Sequence, residues 1–276
     1  MLDPVTPFDA PPHVIAHRGG ALMPGNIGRE NTLRAFRAAW DIGAHHLETD
    51  VHATSDGVLV ALHDDRLDRV SDTSGAVAEL PWSAVQSARV GGEPVPLLAD
   101  IMDALPGATF TIDIKAPGAI TLLATVLADP RRGRRACVGS FSERRLWSFR
   151  LRTRGRVATS AGRVGIAWLR YAPVGWRLLH SPAVAYQVPM TFAAGPLRLR
   201  VVTREFVRRA HAVGAQVHVW TIDDEATMEA LLDLGVDGLV TDRPDLALAV
   251  LRRRGVGGSA RSSSPGPTSR RRLRRR

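Results

Sequence analysis

The chain has 276 residues, is 45% hydrophobic and contains one cysteine, Cys137. That length and apolar content support a large α/β domain, and a lone cysteine excludes an intrachain disulfide and fits a reducing compartment. The formal charge of +10 misleads about the folded part: residues 1–250 carry 26 arginines, one lysine and 27 acids, so the ten arginines from Leu251 onward supply the whole excess.

The opening MLDPVTPFDAPP has no basic n-region and no apolar h-region, so residues 1–12 read as an N-terminal extension without a secretory signal, and the protein as cytoplasmic, with a membrane-peripheral position as the alternative. Strand-like runs then fall at 13–17, 45–51, 109–115, 136–141, 157–161, 183–188, 216–222 and 236–241. Helical patterns with caps lie between several of them. Asn31 or Thr32 starts LRAFRAAWDIG, Ser142 starts ERRLWSFRLRTRG, Thr203 starts REFVRRAHAVG, Asp223 starts DEATMEALLDLG, and Asp242 with Pro244 opens the last helix. One run stands apart: DVHATSDGVLVALHD reads as a hairpin turning on Asp56-Gly57, which would set Asp50 opposite His63. Residues 64–100 form a long insertion with turn signals SDTSG and VGGEPVP, placed to cover or shape a site. The most apolar later stretch, VGIAWLRYAPVGWRLL, is broken by Arg170, Pro173 and Arg177 and is no membrane span. Its Trp168, Tyr171 and Trp176 read as packing under a rim, with an amphipathic lid or interfacial patch as the alternative. The tail, residues 252–276, is rich in Gly, Ser, Pro and Arg; we read it as a disordered, solvated extension, with contact to nucleic acid or anionic membrane as the alternative.

Eight strands mostly followed by helices predict a (β/α)8 barrel over residues 13–251, with the hairpin after the second strand. No G-x-G-x-x-G follows the first strand, which argues against a doubly wound nucleotide-binding sheet.

Charge collects at the ends of these strands: His17-Arg18, Glu48-Thr49-Asp50, His63-Asp64 and Asp113-Ile114-Lys115. Buried charge must be paired, metal-bound or catalytic, and parallel barrel strands converge at their C-terminal ends. Residues two apart share a strand face, so Glu48 and Asp50 point together, as do Asp113 and Lys115. Three carboxylates without cysteine suit one hard divalent ion, Mg2+ or Ca2+. Arg18 and Lys115 add cations for a phosphate, and His17 and His63 supply a base and an acid. Lys115 is the only lysine in the chain; the other 36 basic residues are arginines, which marks a position where a compact ammonium is needed. Together these groups describe phosphodiester cleavage. His13, His45, His46, His52, His211 and His218 fall outside the pattern and read as packing or surface residues.

The series His17-Arg18-Gly19, Glu30-Asn31-Thr32, Glu48-Thr49-Asp50-Val51, Asp56-Gly57, His63-Asp64, Asp113-Ile114-Lys115, Ser140-Phe141, Val219-Trp220-Thr221 and Gly235 to Pro244 resembles the glycerophosphodiester phosphodiesterase family. The resemblance implies a metal-dependent barrel that hydrolyses glycerophosphodiesters to glycerol 3-phosphate and an alcohol. It implies His17 and His63 as the acid-base pair, and Glu48, Asp50 and Asp113 as metal ligands. Arg18 and Lys115 would hold the phosphate, and Trp220 would line the substrate pocket. A phospholipase D-like hydrolase or lyase on lysophospholipids or sphingolipids is the alternative on the same site. Two positions depart from the family pattern: Arg29 stands where proline is usual, and Asp113 where the third ligand is commonly glutamate.

Overall fold

The computed structural model describes residues 6–177, 181–194 and 197–256. Eight parallel strands form a barrel: β1 (His13–His17), β2 (His46–Ala53), β3 (Thr109–Ile114), β4 (Ala136–Gly139), β5 (Ala158–Thr159), β6 (Ala185–Pro189), β7 (Gln216–Trp220) and β8 (Gly238–Thr241). Each is followed by a helix: α1 (Leu33–Asp41), α2 (Leu98–Ala104), α3 (Ala119–Val126), α4 (Glu143–Thr153), α5 (Arg163–Tyr171), α6 (Arg204–His211), α7 (Glu225–Asp233) and α8 (Pro244–Arg253). The strands neighbour one another in chain order, β8 returns to β1, and a Ser160↔Ala185 bridge joins β5 to β6. The (β/α)8 expectation is met.

Local chemistry accounts for the helix starts. Thr32, Ser142 and Thr203 each accept a hydrogen bond from the backbone N–H three residues on, at the N-terminus of α1, α4 and α6. Two expected caps move by one residue. Asp224, not Asp223, caps α7, because the Asp223 carboxylate is taken by Thr241 Oγ1 and the Asp242 N–H. At α8 the cap position is Arg243 with Pro244 in the first turn, which frees the Asp242 carboxylate. The apolar faces of the helices close the outer core around Phe36, Ile101, Leu123, Phe149 and Phe206, all fully buried.

Aromatic rings fill the floor of the barrel. Phe8, from the N-terminal extension, is buried among strand starts and meets the His218 ring edge-on at 4.6 Å, with His13 and His46 beside it. Burial, then the neighbouring His13 and His45, push His46 down to about 3, and burial likewise lowers the pKa of His13 and His218. Residues 1–12 therefore do not all stand apart from the barrel. At the other end α8 continues past 251 to Arg253, and Arg253 and Arg254 pair with Glu225 and Glu229. The rest of the expected tail lies outside the described residues. Among the described residues no helix is long and apolar enough to cross a membrane.

The hairpin forms with another register. Leu59–Ala61 pairs antiparallel with β2, matching Val51 to Ala61, and the Leu62 N–H donates to Asp50 O at 3.0 Å. Leu62 rather than His63 thus faces Asp50. The connection holds three residues, Ser55-Asp56-Gly57, with Gly57 at φ 81° and its N–H on Thr54 O. A three-residue loop ending in a left-handed glycine shifts the pairing by one from the two-residue turn expected. Beyond it, the insertion packs Leu67, Val77, Val85, Val90 and Val95 against Val60 and Leu62 of the hairpin as a second small core.

Candidate active site

A cavity of about 570 Å³ opens at the C-terminal ends of the strands, and all eight expected site residues line it: His17, Arg18, Glu48, Asp50, His63, Asp113, Lys115 and Trp220. They come from the ends of β1, β2, β3 and β7 and from the hairpin after β2, which is why residues far apart in sequence meet there.

Lys115 stands at the centre. Its Nζ lies 2.9 Å from Asp50 Oδ1 and 2.8 Å from Asp113 Oδ2. Burial works against the charged ammonium, but Asp50 and Asp113 outweigh it and raise its proton affinity. Arg18 reaches the same carboxylate from the other side, with Nε 3.5 Å from Asp50 Oδ2. It follows His17 in a left-handed conformation at φ 50°, and this turn aims its own N–H at Glu48 Oε2, 3.1 Å away. A non-glycine residue there costs on the order of 1 kcal/mol and persists only where surrounding contacts hold it.

Glu48 is almost fully buried, and burial, followed by the charge of Asp50, drives its proton affinity up. His17 Nε2 lies 3.9 Å from Glu48 Oε2, and its Nδ1 lies 2.8 Å from Asp242 Oδ1. Burial opposes the imidazolium, yet Glu48 and Asp242 together raise the His17 pKa. His63 Nδ1 pairs with Asp64 Oδ1 at 2.6 Å. Both imidazoles therefore have Nδ1 held by a carboxylate.

Several contributing residues were outside the sequence-based assignment. Asp242 is one, since its proximity to His17 bridges 225 positions and leaves no local signal. Asn31 is another: its Oδ1 accepts from Thr49 Oγ1 at 2.7 Å and its Nδ2 donates to Asp50 Oδ2 at 3.4 Å. From the insertion, Arg69 donates two hydrogen bonds to Asp64 and two to Glu30. Glu30 in turn accepts from Arg18 at 3.1 Å, so one guanidinium braces both Arg18 and the partner of His63. Phe141, half exposed, meets Trp220 edge-on at 5.6 Å and lies 5.7 Å from Lys115 Nζ. Of the histidines set aside, His52 holds His63 O through Nε2 at 3.1 Å and His211 pairs with Asp237 at 2.7 Å.

A divalent ion can be weighed against these donors. Among the described residues no group of three or more His, Cys, Asp or Glu stands arranged to hold a metal. The Lys115 ammonium occupies the space between Asp50 and Asp113. Yet Asp113 Oδ1 is buried without a partner, and Glu48 is a buried carboxylate beside a second one. Unused lone pairs on hard oxygens are what Mg2+ or Ca2+ takes, so the donor set fits such an ion.

Comparison with known proteins agrees with this geometry. The profile of the Glycerophosphoryl diester phosphodiesterase family matches residues 17–246. A Mycobacterium tuberculosis protein named Probable glycerophosphodiester phosphodiesterase 2 is 43% identical over 233 residues, covering 82% of this chain and 86% of the relative. Among solved structures, a phosphodiesterase of Oleispira antarctica in complex with the product sn-glycerol-3-phosphate superposes with a TM-score of 0.69 at 22% identity, covering 88% of this chain and 97% of that one. A glycerophosphodiester phosphodiesterase of Agrobacterium tumefaciens gives 0.70 at 22% identity, covering 86% and 99%. These two likenesses speak for the fold; the profile match and the 43% identical relative speak for the lineage. The chain belongs to the glycerophosphoryl diester phosphodiesterase family.

Proposed function

We propose that this phosphodiester hydrolase cleaves glycerophosphodiesters to glycerol 3-phosphate and an alcohol, with His17 and His63 as its acid-base pair. The observation that carries the reading is the convergence of two carboxylate-held imidazoles, two cations and three carboxylates on one cavity. With Nδ1 held by Asp242, the His17 Nε2 is free to take a proton from the attacking oxygen, either water or the neighbouring glycerol hydroxyl. With Nδ1 on Asp64, His63 presents Nε2 to return a proton to the leaving alkoxide. Arg18 and Lys115 bind the phosphate oxygens, and Phe141 and Trp220 flank the departing group. Glu48, Asp50 and Asp113 would hold one Mg2+ or Ca2+ ion, whose charge offsets that of the phosphate as it reacts. Cleavage of lysophospholipids by a phospholipase D-like route is the less favoured reading, since the 43% identical relative is named a glycerophosphodiester phosphodiesterase.

The test is glycerol 3-phosphate release from glycerophosphocholine and its head-group analogues, with and without EDTA. Release that stops with EDTA and returns with Mg2+ or Ca2+ supports the proposal; no release under any metal overturns it. His17→Ala and His63→Ala are each expected to lower kcat by roughly 10²- to 10⁴-fold. Near-wild-type turnover in both removes the assigned roles.

A further inference from the structure

From Arg144 to Arg204 the chain carries twelve arginines and not one aspartate, glutamate or lysine. The fold brings the middle of this stretch to one side of the cavity mouth, as α5 and a hairpin of Thr191–Ala194 with Leu197–Arg200.

α5 is unusual for a barrel helix. Its sequence, RVGIAWLRY, is largely apolar, yet Leu169 is its only buried side chain. Arg163, Ile166, Ala167, Arg170 and Tyr171 line the cavity, at the spacing of one helix face. Val164 and Trp168 lie on the outward side, 68% and 38% exposed, and Val174 just beyond the helix is 76% exposed. On the hairpin Phe192 sits directly across from Leu199, both exposed and both at the cavity edge. Arg198 and Arg200 flank Leu199 and, by strand alternation, take the opposite face.

Four arginines of this rim are not answered by acids. Arg163 lies over the Phe141 ring at 5.4 Å, and Arg170 over Tyr171 at 4.9 Å while donating to Arg200 O. Among the described residues no carboxylate pairs with Arg163, Arg170, Arg198 or Arg200. The acid against α5 is Glu143, whose Oε1 accepts from Val164 N at 2.7 Å and serves the helix N-terminus. Helices in proteins are held mainly by a buried apolar face, and contiguous apolar surface left in water marks an interaction site. A second copy of this chain would bring like charge against like charge. A nucleic acid would use the arginines but gain nothing from Val164 and Val174. Apolar side chains set among cations match a surface that is anionic above and hydrocarbon below.

We propose that the rim formed by α5 and the hairpin docks on an anionic lipid bilayer. Val164, Trp168 and Val174 enter the acyl boundary, Arg163, Arg170, Arg198 and Arg200 lie at headgroup level, and the cavity mouth opens along the membrane. The proposal goes beyond the catalytic reading and does not depend on it, because it is read by binding.

The test uses the full chain and sedimentation with vesicles of phosphatidylcholine alone or with 30% phosphatidylglycerol. Wild type is expected to bind the anionic vesicles and to keep part of that binding in high salt, where purely ionic attraction is screened. The triple variant Val164→Ser, Trp168→Ser, Val174→Ser is expected to bind at least about tenfold more weakly, with turnover of water-soluble glycerophosphocholine unchanged. Should that variant fail to fold, Arg198→Glu with Arg200→Glu is expected to give a comparable loss. A variant with serine for Arg270, Arg271, Arg272, Arg274, Arg275 and Arg276 is expected to retain salt-resistant binding. The idea is overturned if the rim variants bind as wild type does, or if the tail variant alone abolishes binding. It is equally overturned if light scattering shows that the rim holds a dimer together.

Discussion

At the scale of single residues, Lys115 shows why one lysine survives in an arginine-rich chain. Its Nζ fits between Asp50 and Asp113 at 2.9 and 2.8 Å, a gap that a single ammonium fills and a planar guanidinium does not. Lys115→Arg is therefore expected to retain the charge and lose the function, lowering kcat/KM by roughly a hundredfold or more. Activity within a few-fold of wild type would remove the steric argument. Asp242→Asn tests a second placement. The amide cannot hold the His17 ring as the carboxylate does, so kcat should fall roughly ten- to a hundredfold with the thermal midpoint nearly unchanged. Seven of the eight residues that line the cavity stood out in the sequence because they sit in short charged clusters ending an apolar run, whereas Trp220 rested on the family resemblance. Asp242 was not, since it lies just past a strand end and two residues before a proline, where it reads equally well as a helix opener.

Elements position these groups, and the insertion after β2 does so through one side chain. Arg69 is half exposed, so its ion pairs contribute little to stability, below about 1 kcal/mol, but they fix Glu30 and Asp64 in place. The hydrogen bonds from Arg69, then from His63, hold Asp64 well below the usual carboxylate range. For Glu30 burial acts upward, but Arg69 and Arg18 outweigh it and bring its pKa down. A lowered carboxylate pKa means stability that is present above the ordinary range and lost as pH falls through the folded-state value. Arg69→Ala should thus show its urea-unfolding deficit at pH 7 and lose it progressively below about pH 4. A deficit equal at pH 3 and pH 7 would show that Arg69 acts by packing instead. The existence of the hairpin was readable from Ser55-Asp56-Gly57, but its register was not. Whether glycine sits second or third in such a turn depends on the pairing that follows. The insertion's inner core was hidden for a related reason: its strands are two residues long and have no period to read.

Across the whole molecule the barrel is unevenly stitched. β2 and β3 share six matched pairs from His46↔Thr109 to Val51↔Ile114, whereas β5 contributes two residues and joins β6 by one bridge. The seam is held by Ala161 N to Ala185 O, Val184 N to Thr159 O and little else in the backbone. Native-state hydrogen exchange should open Ala161 and Val184 well before Leu47, Phe110 and Ile112. Uniform protection around the barrel would contradict this. Barrel closure was foreseeable from the count of strands, but the weak seam was not. The run at 157–161 shortens to Ala158–Thr159, and just there the Arg150 guanidinium takes Thr159 Oγ1 and Ser160 O. The zero balance of charge over residues 1–250 likewise conceals a division that only the fold displays, with histidines of lowered pKa on the floor and a cluster of ion pairs at the mouth.

The floor has a practical consequence. Phe8 seats the start of the chain against the strand origins, and α8 runs back from the mouth to end at Arg253 on the same side. Both described ends thus leave the molecule on the face turned away from the cavity. A chain shortened to residues 6–256 and captured on a bead through either of these ends would present its opening outward to whatever flows past, and a fusion partner joined directly there would sit behind the barrel, clear of its entrance.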